Sequence, residues 1–335
     1  MNWVKNLQYK IHIKNQSHKE YMRKDIIQPV DRELLEKELN KERIMRITNN
    51  GNNEIYVITH HDSPNVMLEV GRLREVSFRM AGGGTGKEAD IDEYDTGEVP
   101  YKQLIVWCPE DKEIVGGYRY ILGYDVPFDN KGIPKLATSG LMNYSEKFIK
   151  EFLPYTIELG RSFVQPNYQP SRESRKGIFS LDNLWDGLGA LVVKHPEIKY
   201  FFGKVTMYDH FNPIARDLIL YFMKTFFPDK DKLTVPKKPL AYKTDISGFD
   251  KIFTGEALDK NQKILMQRVR EYGENVPPLV NSYMSLSPTM RTFGTSWNED
   301  FGGVEETGIL ITIADIYEAK KNRHISSYLK DKELK

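Results

Sequence analysis

The chain has 335 residues, which is long enough for two average domains or for one large α/β domain with additions, and this excludes a mini-protein. Its 48 Lys and Arg and 47 Asp and Glu leave a formal net charge of +1, which argues against a surface built as a whole to bind nucleic acid. The single cysteine, Cys108, cannot form an internal disulfide, and the seven histidines show no zinc-ligand spacing. We therefore expect a cytoplasmic protein with no metal and no nucleic-acid partner.

The first 24 residues form a basic stretch. Six Lys and Arg stand against Glu20 alone, a local charge of +5, and a few apolar residues recur at roughly helical spacing. Such a stretch is compatible with an amphipathic arm on anionic lipid, and equally with a solvated arm packed on its own domain. No apolar run approaches the roughly 18 residues of a membrane-spanning helix, and no apolar segment of a secretory signal follows the lysines. We expect no membrane span and no export, with peripheral contact at the inner membrane face as a secondary expectation.

Helices and strands alternate over the first part of the chain. Pro29 and Asp31 open a helix, and a turn of Asn and Gly residues separates two short strands. The next helix should stop at the glycines 82–84, where an acidic loop begins. The predicted elements are helix 31–43, strands 44–48 and 55–59, helix 66–79 and the acidic loop 86–98.

The rest of the chain continues this order of strand and helix. A hairpin around residues 109–112 is the clearest feature, because apolar strands flank a turn that contains a proline. The predicted elements are strands 103–107, 113–120, 156–165, 201–207 and 308–314, and helices 178–195, 213–227 and 260–272. We divide the chain into an N-terminal extension (1–65), an α/β core (66–227) and a C-terminal addition (228–335). We expect the C-terminal addition to complete the functional site of the core.

Common catalytic motifs are incomplete in this sequence. Residues 82–87 read GGGTGK, but a phosphate-binding loop needs Gly in place of Ala81 and Ser or Thr in place of Glu88. The acidic run 90–95 lacks the oxygen ligand and the glycine that a calcium loop needs at its fifth and sixth positions. The sequence contains no Gly-x-Ser-x-Gly, and Cys108 lies inside the predicted hairpin. Group transfer without a covalent enzyme intermediate is the remaining expectation.

A set of charged and aromatic residues occurs in an informative order. Its members are Arg74, Phe78, Asp92, Asp95, Arg119, Glu158 and Arg161. The set resembles that of the acyl-homoserine-lactone synthases, a branch of the GNAT acyltransferase superfamily. More similar still are the bacterial N-acyltransferases that make ornithine and glycine lipids, often labelled hemolysin-like. The stretches that carry this resemblance are EVGRLREVSFR, GGGTG, DIDEYD, QLIVW, EIVGGYR, IELGRSFV, PPLVNSYMSL and WNEDFGG. Gly84 stands where the lactone synthases place a Trp, which favours the lipid-forming branch.

The resemblance implies an α/β fold with a GNAT-like mixed β-sheet flanked by helices. It implies an enzyme that moves a long-chain, 3-hydroxylated acyl group from acyl carrier protein to the amine of glycine or ornithine, in aminolipid biosynthesis. The co-substrate would be an acyl-phosphopantetheine, on acyl carrier protein or coenzyme A, with no permanently bound cofactor. Two alternatives stay open: an acetyl-coenzyme A-dependent N-acetyltransferase of the same superfamily and, from the hemolysin-like label, a non-enzymatic membrane-acting protein.

Residue roles follow from the resemblance and from the chemistry of attack by an amine. Glu158 is predicted to accept a proton as the amine attacks the thioester. Asp92 and Asp95 are predicted to position the substrate ammonium group. Arg119 or Arg161 is predicted to pair with a substrate carboxylate in a forked geometry.

The strand that holds Glu158 sets a condition on this site. Glu158 and Arg161 are three residues apart, so a regular strand would point them to opposite faces of the sheet. A bulge at Gly160 would shift the phase by one residue and bring both side chains to one cleft. A strand that is regular through Gly160 would exclude the shared site. Arg74 and Phe78 are expected to lie around the substrate and the acyl chain.

Basic residues provide candidate contacts for the acyl donor. GNAT folds bind phosphate at a helix start just after the strand that holds the base, which here corresponds to residues 172–178. Acyl carrier proteins are strongly acidic, so local basic patches are candidate docking sites, although a solvated basic face is the commoner meaning of such residues. The candidates for phosphopantetheine and carrier binding are Arg172, Arg175, Lys176, Gly177, Lys237 and Lys238.

Overall fold

The structure is a computed structural model that describes residues 23–169 and 177–329. The strands in these ranges are β1 (Ile44–Ile47), β2 (Glu54–Ile58), β3 (Lys102–Cys108), β4 (Glu113–Leu122), β5 (Met142–Tyr144), β6 (Thr156–Val164), β7 (Tyr200–Tyr208), β8 (Thr234–Pro236), β9 (Arg291–Asn298) and β10 (Val304–Thr312). The α-helices are α1 (Arg32–Glu38), α2 (Pro64–Met80), α3 (Glu93–Thr96), α4 (Ser180–Lys194), α5 (Pro213–Phe226), α6 (Leu258–Glu271), α7 (Pro278–Met284) and α8 (Glu318–Lys321). Residues 1–22 of the basic N-terminal stretch lie outside the described residues.

Eight strands form one mixed sheet in the order β1-β2-β3-β4-β6-β7-β10-β9, and β5 and β8 form a separate two-stranded sheet. Within the large sheet all neighbours are antiparallel except β6 and β7. The connection between these two strands contains α4, because parallel neighbours need a long crossover. The predicted α/β fold with a mixed sheet and flanking helices is confirmed.

The two ends of the described chain extend this sheet at opposite edges. β1 and β2 form a hairpin that pairs with β3, and β9 and β10 form a second hairpin that pairs with β7. Residues before 66 and after 227 therefore supply four of the eight strands. One hydrogen-bonded sheet runs through all three predicted segments, and the boundaries at 65 and 227 stay predictions.

The two faces of the sheet are covered differently. Tyr118 and Leu159 belong to the largest apolar cluster, which also contains residues of helices α4 to α7. We call the side of the sheet that these helices cover the α4 face. On the other side α2 packs against the sheet through residues such as Phe78, and we call this the α2 face. Side chains alternate along a strand, so Arg119 and Glu158 point to the α2 face.

β6 and β7 pair only along their first halves. Their ladder runs from Thr156 opposite Tyr200 to Leu159 opposite Gly203. Beyond that point β6 continues to pair with β4, and β7 continues to pair with β10. Gly203 allows the close approach at the end of the ladder, because a Cβ there would lie 2.5 Å from the carbonyl oxygen of Leu159. A gap therefore opens between two neighbouring strands of the sheet.

Several elements have no predicted counterpart, namely β5, β8, β9, α3, α7 and α8, and the bounds of α1 and β10 differ from their predictions. α1 ends earlier than expected, because Asn40 has an extended backbone with φ −77° and ψ 156°. The sequence does not predict β9, in which Gly294 in the left-handed region (φ 89°) interrupts the alternation of side chains. β10 begins before the predicted residue 308, because Glu305 and Glu306 look like loop residues but are buried in ion pairs.

Candidate active site

A polar cleft with a volume of about 1380 Å³ opens on the α2 face of the sheet. Its walls include the glycine-rich loop (residues 82–87), the start of α3 and the turn between β9 and β10. The charged side chains in its lining are Arg23, Lys87, Asp92, Glu93, Arg119, Arg161, Lys204, Asp209, Glu299 and Asp300. The cleft therefore offers both carboxylates and cations to a small polar ligand.

A narrow cavity of about 60 Å³ lies in the gap between β6 and β7. Its lining is largely apolar and includes Leu279 of α7. Tyr118 reaches the cavity from the α4 face and Lys204 reaches it from the α2 face, so the cavity is lined from both sides of the sheet. Arg161, Lys204 and Phe301 line the cleft as well as the cavity. The polar and apolar spaces meet at these three residues.

A buried ionic network lies beneath the cleft. Arg74 Nη1 donates to both oxygens of Asp95 at 3.2 Å, and Arg119 Nη1 lies 3.3 Å from the same carboxylate. Arg119 Nη1 also donates to both oxygens of Asp92 at 2.8 Å. Burial alone would raise the pKa of Asp95, but Arg74 and Arg119 hold it well below its ordinary value of 3.8. Asp95 is therefore an anion that joins two buried arginines.

The sequence DEYD supplies this network because it starts a helix. Asp92 Oδ1 accepts a hydrogen bond from Tyr94 N at 3.0 Å, and the Asp95 carboxylate accepts one from Asp92 N at 3.2 Å, which together cap α3. Asp92 has 16% of its side chain exposed and lines the cleft, whereas Asp95 is fully buried. Of the two predicted ammonium ligands, the structure brings Asp92 to the cleft and leaves Asp95 beneath it.

β6 is irregular at Arg161, one residue after the predicted position Gly160. Arg161 has a φ of 46°, and the register against β4 shifts around it. Its Nε lies 2.7 Å from Asp90 Oδ2, but the N–H bond does not point at this oxygen, so the contact is an ion pair without a hydrogen bond. Its guanidinium lies over the Phe301 ring at 4.2 Å from the centroid. The phase shift that Glu158 and Arg161 need to share a face is present.

Glu158 is 2% exposed and lies behind the cleft lining. Its Oε2 accepts hydrogen bonds from the Tyr101 hydroxyl and from Ala137 N, the latter at 3.1 Å. Its Oε1 accepts hydrogen bonds from the Thr138 hydroxyl and from Thr138 N, the latter at 3.1 Å. Because four donors occupy the two oxygens, these contacts favour a role in anchoring the segment after β4. The role of Glu158 as proton acceptor stays a prediction.

The two predicted substrate neighbours on α2 have different environments. Phe78 lines the cavity and packs edge-on against Phe301 at a centroid distance of 4.9 Å. Arg74 is fully buried and donates to Gln103 as well as to Asp95. Phe78 therefore lies in the wall of the cavity, whereas Arg74 lines neither the cavity nor the cleft.

A buried carboxylate holds the glycine-rich loop. Glu75 accepts hydrogen bonds from Thr85 N at 3.0 Å and from Arg79 Nε at 2.7 Å. Gly84 has a φ of 94°, and a Cβ there would lie 3.2 Å from both Arg79 Cγ and Glu75 Oε1. The left-handed backbone and this crowding explain why glycine occupies the position where the lactone synthases have Trp.

The predicted contacts for the acyl carrier are described in part. Those outside the described residues are Arg172, Arg175 and Lys176. A Cβ on Gly177 would lie 2.0 Å from the carbonyl oxygen of Tyr168, so its close approach is to the backbone of the chain itself. Lys237 and Lys238 are exposed just after β8, and Lys237 N donates to the carbonyl of Leu141 in the cleft lining at 2.8 Å. These two lysines lie beside the rim of the cleft.

Two candidate site residues were not found from the sequence. Lys204 and Glu306 form a buried ion pair where the cleft meets the cavity. Asn298 Nδ2 donates a further hydrogen bond to Glu306 at 2.7 Å. Burial lowers the pKa of Lys204 against the opposing effect of Glu306. The available signal was a single lysine inside the otherwise largely apolar run YFFGKVTMY of β7.

Across 23–169 and 177–329, no three His, Cys, Asp or Glu side chains are grouped as metal ligands. Over the same ranges, no helix has both the length and the apolar character needed to cross a bilayer. Cys108 is a buried free thiol.

Comparisons with known proteins identify the family. Residues 73–175 match the acetyltransferase (GNAT) domain. A glycine N(alpha)-acyltransferase of Phocaeicola vulgatus is 58% identical over 306 residues, which cover 91% of this chain and 94% of that protein. Another, of Bacteroides thetaiotaomicron, is 57% identical over 305 residues, which cover 91% of this chain and 90% of that protein. The chain belongs to the GNAT N-acyltransferases.

This N-acyltransferase also has similarity to two solved structures of BjaI, a CoA-dependent acyl-homoserine lactone synthase, one with SAM and isopentyl-CoA and one with MTA. The TM-scores are 0.34 and 0.33 at 13% identity, over 81% of this chain and 89% of that chain. The family assignment rests on the relatives from Phocaeicola and Bacteroides. The prediction of an acyltransferase is confirmed, in preference to the non-enzymatic alternative, and its substrates are an acyl donor and an amine acceptor.

Proposed function

We propose that this N-acyltransferase transfers a long-chain, 3-hydroxylated acyl group from acyl carrier protein to the α-amine of glycine, as a step in aminolipid biosynthesis. The observation that carries the proposal is the junction of a polar cleft with an apolar cavity at Arg161, Lys204 and Phe301. The small acceptor enters through the cleft, and the thioester end of the acyl group enters the gap between β6 and β7, whose cavity of about 60 Å³ holds only a short part of the chain. The relatives named glycine N(alpha)-acyltransferase support glycine over ornithine as the acceptor.

The reaction joins the acceptor nitrogen to the thioester carbonyl carbon and breaks the carbon–sulfur bond. Glycine arrives with a protonated amine at neutral pH, and it loses two protons on the way to the amide. One proton leaves before attack, and the second leaves as the carbon–nitrogen bond forms. The leaving thiolate gains one proton. The enzyme therefore needs a proton acceptor and a proton donor close to the junction.

Arg161 and Asp92 hold the acceptor in this proposal. Arg161 lines both spaces and has 11% of its side chain exposed, so a substrate carboxylate would pair with it largely away from bulk water. Asp92 lines the cleft and would accept the ammonium group. Arg119 fixes Asp92 through the contacts at 2.8 Å, and Asp95 in turn fixes Arg119. Arg119 and Asp95 are therefore positioning residues.

The donor in this proposal is an acyl-phosphopantetheine thioester that binds as a co-substrate. Beyond Leu159, β6 no longer pairs with β7, and in this proposal the amides of an extended arm pair with the β6 backbone there. Lys237 and Lys238 beside the cleft rim supply positive charge for an acidic carrier protein. A coenzyme A donor carries the same arm, so the choice between the two donors is made by assay.

Tyr118 supports a hydroxylated acyl chain. It is 2% exposed and lines the cavity. Ser162 and Tyr283 approach its hydroxyl, but neither meets hydrogen-bond geometry, and among the described residues this hydroxyl has no partner. A buried hydroxyl without a partner costs free energy, and a hydroxyl on the acyl chain would satisfy it.

An N-acylated amino acid with a long chain is an amphiphile. We therefore include peripheral contact with the inner face of the cytoplasmic membrane in the proposal. The basic residues at the start of the chain are the candidates for this contact, since clustered Lys and Arg are attracted to anionic lipid. Binding to anionic vesicles that is lost on removal of residues 1–22 would support this part.

Transfer assays with the purified protein test the proposal. A long-chain 3-hydroxyacyl carrier protein, the same acyl group on coenzyme A, and acetyl-coenzyme A are each offered with glycine and with ornithine. We expect N-acylglycine from the long-chain donors, with the highest kcat/KM on carrier protein. Product from acetyl-coenzyme A alone would favour the N-acetyltransferase alternative, and a preference for ornithine would overturn the acceptor. Mass spectrometry of lipids from cells that overproduce the protein then gives acceptor and chain length together.

A further inference from the structure

We propose that Glu306 is the proton acceptor of the transfer reaction and that Lys204, its ion-pair partner, supplies the proton taken up by the leaving thiolate. The inference rests on the proposed function, because it requires an amine acceptor and a thioester donor. Two observations carry it: the position of the pair where the two substrate spaces meet, and the contacts that hold its two charges.

The pair lies where the two substrates must meet. Lys204 follows Gly203, which ends the β6/β7 ladder, and it lines both the cleft and the cavity. Glu306 lies opposite Thr206 in the β7/β10 pairing and lines the cavity. Alternation along the strands brings Lys204, Thr206 and Glu306 to the α2 face, which is the face of the polar cleft. A thioester carbonyl at the start of the gap is therefore within reach of the pair from the side on which the acceptor enters.

The hydrogen bonds of Glu306 leave one oxygen available. Oε2 pairs with Lys204 and accepts a hydrogen bond from Asn298 Nδ2 at 2.7 Å. Among the described residues, Oε1 has a contact from Thr206 Oγ1 at 3.4 Å, which is at the outer limit for a hydrogen bond. Glu306 is 2% exposed, so a substrate in the cavity, instead of bulk water, is its available donor. Glu158, by contrast, accepts two donors on each oxygen.

Lys204 has the environment of a proton donor. Burial lowers its pKa, Glu306 opposes this effect, and the nearby Arg161 and Arg119 lower the pKa further. An ammonium group with a lowered pKa gives up its proton more readily to a neighbouring thiolate.

The protons balance over one turnover. Glu306 accepts the proton that leaves the acceptor nitrogen as the carbon–nitrogen bond forms. The Lys204 ammonium gives a proton to the sulfur as the carbon–sulfur bond breaks. The protonated Glu306 then returns its proton to the neutral Lys204 amine across their contact, and both side chains regain their starting charges. The first ammonium proton of the acceptor leaves to solvent before attack.

Glu306→Gln tests the proposal, with Glu305→Gln as the matched control. The two residues are adjacent in β10 and both are 2% exposed, but Glu305 points to the α4 face and pairs with Arg216 Nε at 2.7 Å. We expect Glu306→Gln to lower kcat by about 10²- to 10⁴-fold, with a smaller change in the KM for glycine and loss of the acid limb of the kcat–pH profile. Glu305→Gln should lower thermal stability and keep that limb.

Conservative variants separate catalysis from structural support. Glu306→Asp should have a higher kcat than Glu306→Gln and should show the acid limb of the kcat–pH profile. A purely structural role of Glu306 would not restore this limb. Lys204→Arg keeps the positive charge but cannot give up a proton, so it should lower kcat even if Glu306→Gln does not fold. Wild-type kcat in Lys204→Arg would overturn the role of Lys204.

The remaining outcomes are distinguishable. A kcat of folded Glu306→Gln within about twofold of wild type overturns the proposal, and so does an equal loss in Glu305→Gln at matched stability. If Glu158→Gln loses the acid limb and Glu306→Gln keeps it, the acceptor is Glu158 and the proposal is wrong. If the wild-type protein transfers acyl groups to no amino acid, the proposed function fails and this inference fails with it.

Discussion

Asp95→Asn separates structural support from catalysis in the buried network. Asp95 accepts hydrogen bonds from Arg74 at 3.2 Å, from Gln103 at 3.0 Å and from Arg119 at 3.3 Å. Neutralising it leaves Arg74 fully buried, with no carboxylate among the described residues within hydrogen-bond distance. Removing one partner of a buried ion pair costs about 3–5 kcal/mol, so we expect a loss of this size in the free energy of unfolding.

The difference in the free energy of unfolding between wild type and Asp95→Asn should become smaller as the pH falls. Burial would raise the pKa of Asp95, but Arg74 and Arg119 hold the folded-state pKa below the ordinary value of 3.8. Above about pH 5 the carboxylate is ionised in both states and contributes its full stabilisation, which is lost as the pH falls through the folded-state pKa. The difference between wild type and Asp95→Asn should therefore be constant from about pH 6 to 8 and shrink below about pH 4.

Urea unfolding followed by circular dichroism measures this difference. Glu146→Gln, which removes an exposed ion pair with Lys150 at 2.9 Å, is the control and should change the free energy of unfolding far less. Equal stability of Asp95→Asn and wild type would refute the reasoning. If that equally stable variant also had a large loss of kcat, the carboxylate would act on the substrate instead of supporting the fold.

Three further predictions concern the substrates. Arg161→Met should raise the KM for glycine by about 10-fold or more, because a hydrogen bond to a charged group is worth about 1.5–3 kcal/mol, and an unchanged KM would remove Arg161 from the acceptor site. Tyr118→Phe should reduce the kcat/KM preference for 3-hydroxyacyl over unsubstituted acyl donors by about 3- to 10-fold; an unaltered ratio would count against the hydroxyl contact. Lys237→Glu combined with Lys238→Glu should raise the KM for the acyl carrier protein donor and leave the KM for the coenzyme A donor unchanged, and equal effects on both donors would contradict carrier docking there.

Elements with a local pattern were predictable from the sequence. The bounds of β3, β4 and α4 lie within two residues of their predictions, because apolar strands flank a turn at Pro109 and leucines such as Leu184 and Leu188 recur at helical spacing. β9 was missed, because its Thr, Ser and Gly residues have no apolar period and the strand is recruited by pairing with β10. Glu306 was missed for a related reason, since a charged residue in β10 resembles a loop until its partner is known.

The sequence by itself determined most of the longer helices and strands and, through its resemblance to known enzymes, the acyltransferase class. Only the tertiary structure decided which charged groups reach the substrate spaces. Arg161 turns to the cleft because its own backbone is in the left-handed region. The Glu158 carboxylate accepts hydrogen bonds from a distant segment of the chain. Lys204 and Glu306 are separated by 102 residues and meet because β7 and β10 pair in one register. Strand register and the conformation of a single residue depend on contacts between distant parts of the chain, which local spacing does not encode.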